Sequence, residues 1–192
     1  MLDIEVMRSV AEVLKAMYKR GLVQVKGGNV SVYSGGLVYI SPSGVPRHKL
    51  EWSDVAVMDL EGGIFRGRPS SEWRMHVAIY RKLGSKGVSA VVHAHPKAVL
   101  ALDAIGVEPE VNLLAEAKIR LGCVARVPFI TPGTWDLAEA VAQALNASGC
   151  RAVIMERHGA VTVSSGLWDA VDAMESLEDL AWIALSLASS RR

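Results

Sequence analysis

Apolar residues recur at intervals of three and four along several stretches of the chain, the spacing of one face of a helix. In residues 3–20 they include Ile4, Met7 and Leu14, and Gly21 supplies a C-terminal stop. The same spacing predicts further helices over residues 72–83, 97–105, 112–121, 136–147 and 167–188.

Short apolar runs bounded by turn residues predict strands between these helices. Residues 30–33 and 37–40 flank Ser34-Gly35-Gly36, which indicates a hairpin. Further strands are predicted at 55–60 and 64–65, as a second hairpin, and at 88–95, 126–130, 153–155 and 160–163. Because the early strands form hairpins and the later ones are mixed with helices, we expect an α/β fold on a largely antiparallel sheet. No repeat or linker divides the sequence, so residues 1–192 are predicted to form a single domain.

The composition narrows the classes of function. With 51% apolar and 21% charged residues in a chain of 192, it is typical of a globular enzyme or binding protein. The net charge of +1 and the lack of a basic run argue against nucleic acid as a partner. No apolar stretch approaches the roughly 20 residues that span a bilayer, and the N-terminal residues lack the pattern of a secretory signal. We therefore expect a cytoplasmic protein that does not enter a membrane, with Cys123 and Cys150 as reduced thiols.

Two histidines two residues apart give the strongest chemical signal. His93 and His95 lie in the run Val-Val-His-Ala-His, which is predicted to be a strand. Side chains two apart on a strand project to one face, so both imidazoles can chelate the same ion. His158 lies in a predicted turn, and Glu72 follows two serines at the start of a helix. Three imidazoles and a carboxylate are a common ligand set for zinc, so we predict that these four side chains bind a divalent metal.

The two remaining histidines are weaker candidates. His76 lies one helical turn after Glu72. It is either a competing ligand or, as we expect, a histidine on the helix surface or one that supports the metal ligands. His48, between Arg47 and Lys49, is expected to be solvated or to face substrate.

Three short segments have the composition of an anion-binding loop. Gly27-Gly28-Asn29 precedes a strand, Ser41-Pro42-Ser43-Gly44 follows one, and Pro69-Ser70-Ser71 opens a helix. Glycine lets backbone N–H groups approach an anion, serine hydroxyls donate to it, and a helix N-terminus adds positive potential. The first two segments are also common as ordinary turns. The third places two hydroxyls directly before Glu72, so a phosphate bound there would lie near the metal.

Five motifs, in this order and spacing, resemble the class II aldolase/adducin family. They are Gly-Gly-Asn-Val-Ser, Ser-Pro-Ser-Gly, Pro-Ser-Ser-Glu, Val-Val-His-Ala-His and Arg-His-Gly-Ala. The similarity runs from about residue 5 to residue 185 and is greatest to the L-fuculose-1-phosphate aldolase branch. It implies a three-layer fold, with a central, largely antiparallel sheet flanked by helices. It also implies a homotetramer with active sites between neighbouring subunits.

The resemblance assigns roles to individual residues. In the family's aldolases, the residues that match Glu72 and the three histidines bind one Zn²⁺ per subunit, with Co²⁺, Mn²⁺ or Ni²⁺ as alternatives. Those that hold the phosphate and the dihydroxyacetone moiety match Gly28, Asn29, Ser43, Gly44, Ser70 and Ser71. The implied reaction cleaves a ketose 1-phosphate into dihydroxyacetone phosphate and an aldehyde through a metal-stabilised enediolate, with Glu72 as the general base.

Other branches of the family leave alternatives open. Pentulose-phosphate 4-epimerases typically have Asp at the position of Glu72, and methylthioribulose-1-phosphate dehydratases typically lack a carboxylate there, so Glu72 favours an aldolase. Leu114 stands where the aldolases usually have a tyrosine, and no Tyr follows Tyr80, so the resemblance names no proton donor for the aldehyde. Glu116, near the dehydratases' acid/base glutamate, is a second acid/base candidate or a surface charge paired with Arg120. A non-catalytic adducin-like module is the remaining alternative, against which the metal residues argue.

Overall fold

Eight strands form one central sheet with helices on both faces in the computed structural model, which describes residues 2–190. The helices are α1 (Ile4–Lys19), α2 (Trp73–Leu83), α3 (Lys97–Ala104), α4 (Ala115–Leu121), α5 (Trp135–Ser148) and α6 (Leu167–Ser190). The strands are β1 (Asn29–Ser34), β2 (Leu37–Ile40), β3 (Ala56–Met58), β4 (Ile64–Arg66), β5 (Ala90–Ala94), β6 (Val124–Val127), β7 (Ala152–Met155) and β8 (Gly159–Ser164). Their order in the sheet is β4-β3-β2-β1-β5-β8-β7-β6. Only the β6–β7 pair among these neighbours is parallel, which confirms the predicted α/β fold on a largely antiparallel sheet.

The helices bury their apolar stripes against the two faces of the sheet. Helices α1, α3, α4 and α6 cover one face, and α2 and α5 cover the other. In α1 the Asp3 carboxylate accepts the free N–H groups of Glu5 and Val6, and Met7 and Leu14 are buried below. Within residues 2–190, no helix combines the length and the apolarity needed to cross a membrane.

Alternation along β5 decides where its histidine points. Val92 packs into the core beside α1 and α6, and Val91 packs into the core beside α2 and α5. Because successive side chains point to opposite faces of a strand, His93 shares the α2/α5 face with Val91. Since β5 ends at Ala94, His93 lies on this face at the C-terminal end of the strand.

The two cysteines form a disulfide, so the prediction of reduced thiols is wrong. Cys123 directly precedes β6 and Cys150 precedes β7, and the bond joins residues 27 positions apart. Parallel pairing aligns Val124 with Ala152 and so brings the two cysteines to a Cα separation of 4.9 Å, within the range that a disulfide requires. The sequence spacing gave no sign of this pairing because it depends on the strand register.

Candidate metal and phosphate site

Antiparallel pairing gathers the predicted site residues at one end of the sheet. Asn29 at the start of β1 lies opposite His93 near the end of β5, and Ala94 lies opposite Ala160 at the start of β8. His158 immediately precedes β8. A cavity of about 180 Å³ opens at this point. Ten predicted site residues line it: Gly28, Asn29, Ser43, Gly44, Ser70, Ser71, Glu72, His93, His95 and His158.

Close approach of the backbone accounts for two glycines around this cavity. Gly28 has a φ of +65°, and a Cβ there would lie 2.9 Å from the His93 carbonyl oxygen. At Gly159 a Cβ would lie 2.9 Å from Cδ2 of His95. Neither position tolerates a side chain without moving a metal-ligand candidate.

Three imidazoles converge at the cavity. One ring nitrogen from each of His93, His95 and His158 lies within 4.8 Å of the others. The Nδ1 atom of His93 is 3.0 Å from the Ala160 carbonyl oxygen, and that of His95 is 2.7 Å from Oε1 of Gln24. Both oxygens are acceptors, so each Nδ1 carries the hydrogen and each Nε2 presents a lone pair.

The two Nε2 atoms of His93 and His95 lie 3.0 Å apart. Two lone pairs at this distance repel each other unless a cation or a proton lies between them. His158 adds a buried Nδ1 that has no hydrogen-bond partner within residues 2–190. The donor set therefore fits a divalent cation.

The protonation states agree with this interpretation. Burial holds the pKa of His93 well below its usual value and lowers the pKa of His158 to about 4, and the neighbouring imidazoles act in the same direction. Burial also lowers the pKa of His95. All three rings are thus neutral near pH 7, the form in which imidazole binds metals.

Glu72 lines the same cavity but does not join the cluster of three ligand nitrogens. It occupies the N-cap position of α2, where its backbone N–H donates to Oγ of Ser70, and it is 8% exposed. Burial raises the pKa of the Glu72 carboxyl, and the backbone N–H of Gly133 partly opposes the rise. Among the described residues no group pairs with its Oε2 atom. The carboxyl group is therefore available to complete a ligand set or to carry a proton.

Arg47, which no sequence motif marks, holds both glycine-containing loops through its side chain. Its guanidinium is buried and donates to five carbonyl oxygens, those of Lys26, Gly27, Gly28, Pro42 and Val45, at 2.9–3.2 Å. No carboxylate pairs with it in the described part of the chain, and burial lowers its pKa to about 10.

This arrangement shapes the cavity wall. The peptide between Gly27 and Gly28 has its C=O and its N–H on opposite sides. Because the Gly27 carbonyl oxygen accepts a hydrogen bond from Arg47, the Gly28 N–H points away from the guanidinium. The buried cation also places positive potential beside a cavity that would receive an anion. No local motif marks this role, because an arginine after a Ser-Gly-Val-Pro turn is ordinarily a surface residue.

The remaining candidates lie elsewhere. Glu116 is exposed in a groove formed with α6, outside this cavity, and its acid/base role stays a prediction. Arg120, expected to pair with it, contacts Asp172 of α6 instead, because α4 packs against α6. His48 is exposed beside the Tyr18 ring, and His76 is completely buried behind Asn29.

Comparison with known proteins places this geometry in a family. Residues 8–185 match the model of the Class II Aldolase and Adducin N-terminal domain. An L-fuculose phosphate aldolase of Methanococcus maripaludis is 33% identical over 171 residues, which cover 88% of this chain and 91% of the relative. A 3-oxo-tetronate 4-phosphate decarboxylase of Haemophilus influenzae is 28% identical and covers 100% of this chain and 92% of the relative.

A solved structure agrees with these sequence matches. The crystal structure of an L-fuculose-1-phosphate aldolase from Thermus thermophilus superposes with a TM-score of 0.85 at 30% identity. The superposition covers 98% of each chain. The sequence motifs and the fold therefore indicate the same family.

Proposed function

Because this chain belongs to the class II aldolase and adducin family, we propose that it is a metal-dependent aldolase acting on a ketose 1-phosphate similar to L-fuculose 1-phosphate. The products would be dihydroxyacetone phosphate and an aldehyde. One observation carries the proposal: three neutral imidazoles and a buried carboxyl meet in one cavity with two loops and a helix start suited to a phosphate.

His93, His95 and His158 would hold one divalent cation per chain, and Glu72 would complete the set before substrate enters. Zn²⁺ is the first candidate for a histidine-rich site with an exchangeable position, and Co²⁺, Mn²⁺ and Ni²⁺ suit the same donors. When bound, such a cation polarises the ketose carbonyl and stabilises the negative charge that develops on its oxygen.

Glu72 is proposed to move the proton. In cleavage, the hydroxyl group that becomes the aldehyde would give up its proton to solvent. The C–C bond beside it breaks, the electron pair of that bond passes to the carbonyl-bearing fragment, and the aldehyde leaves. Glu72 then delivers a proton to that carbon, and in the reverse direction it removes the α-proton. A raised pKa suits both roles, and a positioned acid or base contributes roughly 10²–10⁴-fold in rate.

The phosphate is proposed to lie against the loops that Arg47 supports. Its oxygens would accept hydrogen bonds from serine hydroxyls and glycine N–H groups, and the positive end of α2 would favour its charge. The residues that would hold the phosphate and the adjoining dihydroxyacetone moiety all line the cavity: Gly28, Asn29, Ser43, Gly44, Ser70 and Ser71.

An assay with and without a chelator tests the proposal. The purified protein is given L-fuculose 1-phosphate and related ketose 1-phosphates, and dihydroxyacetone phosphate is measured. We expect release that stops on metal removal and returns with Zn²⁺. Three other outcomes, each without aldol cleavage, would overturn the aldolase proposal. They are water loss from methylthioribulose 1-phosphate, epimerisation of a pentulose phosphate, and loss of CO₂ from 3-oxo-tetronate 4-phosphate.

The variant Glu72→Gln separates the base from the metal site. It keeps the size of the side chain but cannot accept the proton, so we expect turnover to fall at least about 100-fold with some metal still bound. Full aldolase activity in Glu72→Gln would show that another group is the base. Purified protein that binds no divalent ion at all would favour a non-catalytic module.

We also propose a homotetramer with active sites between neighbouring subunits. Large apolar side chains on the surface of the chain support it: Trp168 and Trp182 are more than half exposed, and Ile119 is 76% exposed. Light scattering of the purified protein would give four chains per particle, and a monomeric mass would overturn the assembly.

A further inference from the structure

A chain of buried hydrogen bonds runs from the core to the cavity. The Tyr80 hydroxyl is 2.7 Å from Oγ of Ser31, and this Oγ is 2.6 Å from Nδ1 of His76. The other ring nitrogen, Nε2, contacts Oδ1 of Asn29. All four residues are buried, and Asn29 lines the cavity.

Protonation states limit how hydrogens are arranged along this chain. Burial lowers the pKa of His76 to about 3, so its ring is neutral and carries one hydrogen. Burial also raises the pKa of the Tyr80 hydroxyl, which therefore keeps its hydrogen. Among the described residues, Ser31 is the one hydrogen-bond partner of the Tyr80 hydroxyl.

Only one direction of donation then satisfies every group. If Tyr80 donates to Ser31, Ser31 donates to Nδ1 of His76, and Nε2–H donates to the Asn29 oxygen, each hydrogen has an acceptor. In the opposite direction the Tyr80 oxygen would accept from Ser31, and no other described group forms a hydrogen bond with this hydroxyl. Its own hydrogen would then face the core without an acceptor, which is costly for a buried polar group.

We propose that Tyr80, Ser31 and His76 are positioning residues that hold the Asn29 carboxamide with its oxygen toward the core and its NH₂ group toward the cavity. Asn29 would then donate a hydrogen bond to a substrate oxygen that carries or develops negative charge. The inference rests on the proposed function for the identity of that substrate. The orientation of the amide rests on the hydrogen bonds alone.

His76 lies close to the candidate metal ligands, but hydrogen bonds occupy both of its ring nitrogens. It follows Glu72 by one helical turn, and its two nitrogens contact Ser31 and Asn29. Its place in the fold is between the core and the cavity. The site would therefore select substrates with a hydrogen-bond acceptor at Asn29 over those with a donor there.

The tautomer of His76 can be measured without an activity assay. The full chain, labelled with ¹⁵N in its five histidines and loaded with Zn²⁺, is studied by long-range ¹H–¹⁵N correlation spectroscopy. The His76 signals are assigned by their loss in His76→Gln or, if that variant does not fold, by their shift in Ser31→Ala. We expect a hydrogen on Nε2 and none on Nδ1. A hydrogen on Nδ1 alone, or on both nitrogens, would overturn the orientation.

Kinetics test the consequence at Asn29. Asn29→Asp has the same shape but replaces the NH₂ group with an oxygen, so we expect kcat/KM to fall roughly 10²–10³-fold with metal content unchanged. Ser31→Ala removes the donor to His76 and should lower kcat by about tenfold. Ser31→Thr, which keeps the hydroxyl, should restore most of that loss.

Tyr33→Phe provides the matched control. The Tyr33 ring stacks on Tyr80 with centroids 5.4 Å apart, but its hydroxyl lies outside the hydrogen-bonded chain, so activity should match that of the unaltered protein. Wild-type activity in Asn29→Asp, or equal activity in Ser31→Ala and Tyr33→Phe, would overturn the positioning role. If the unaltered protein cleaves no ketose 1-phosphate, the proposed function fails, and the tautomer still decides the orientation of the amide.

Discussion

Oε1 of Gln24 accepts a hydrogen bond from Nδ1 of His95 at 2.7 Å, which joins the segment after α1 to the end of β5. The bond selects the tautomer in which Nε2 of His95 faces the other two histidines. A residue 71 positions away in sequence thus prepares a metal-ligand candidate.

Gln24→Ala should weaken metal binding without removing a ligand. Loss of a group that orients a ligating histidine typically lowers metal affinity by roughly 10–100-fold, which competition with a fluorescent chelator would measure. Gln143→Ala, which removes an exposed glutamine of α5, is the control. Equal affinity in the two variants would mean that His95 keeps its orientation without Gln24.

Metal removal should destabilise the folded protein. A ligand that binds only the folded state at roughly 1,000 times its Kd adds about 4 kcal/mol, so a chelator should lower Tm and Zn²⁺ should restore it. His93→Ala should lose this response, because it removes one of the three converging rings. His48→Ala, at an exposed histidine outside the cavity, should keep it. A Tm in the unaltered protein that ignores both chelator and Zn²⁺ would contradict the metal site.

Arg47→Met should affect both stability and phosphate binding. It leaves five carbonyl oxygens without their buried donor, so we expect a loss of about 3 kcal/mol in the free energy of unfolding. The inhibition constant of inorganic phosphate should rise about tenfold as the loops relax. Urea unfolding and inhibition assays measure the two effects.

Arg47→Lys separates charge from geometry at the same position. Lysine keeps the positive charge but lacks the planar fork that reaches several carbonyls, so it should recover only part of the phosphate affinity. Arg8→Met, at an exposed arginine paired with Glu5, controls for loss of a surface charge. Phosphate inhibition that is unchanged in Arg47→Met would refute the link between this residue and the anion site.

Reduction of the disulfide should lower stability. Cys123 and Cys150 close a loop of 27 residues, for which the chain-entropy model gives roughly 3.5 kcal/mol and a fall in Tm of about 10 °C. Differential scanning calorimetry with and without reductant would detect it. The double variant Cys123→Ser/Cys150→Ser should melt at the lower temperature and ignore the reductant. A Tm of the unaltered protein that reductant does not change would contradict this contribution.

Local patterns in the sequence predicted most of the elements. The helices and strands were found within a few residues of their bounds, because apolar periodicity and turn residues act over short distances. The pairing of His93 with His95 was equally local, since side chains two apart on a strand share a face. The exposed position of His48 also agreed with its basic neighbours.

Long-range relationships were beyond such patterns. The sequence alone determined which segments are helices and strands and marked the residues that carry the chemistry. The motifs marked His158 as a partner of His93, and the fold brings the two together. Only the tertiary structure decided that Gln24 and Arg47 support the cavity and that the cysteines pair. The physical reason is that strand register and sheet order bring together residues far apart in the chain, and these depend on the packing of the whole molecule.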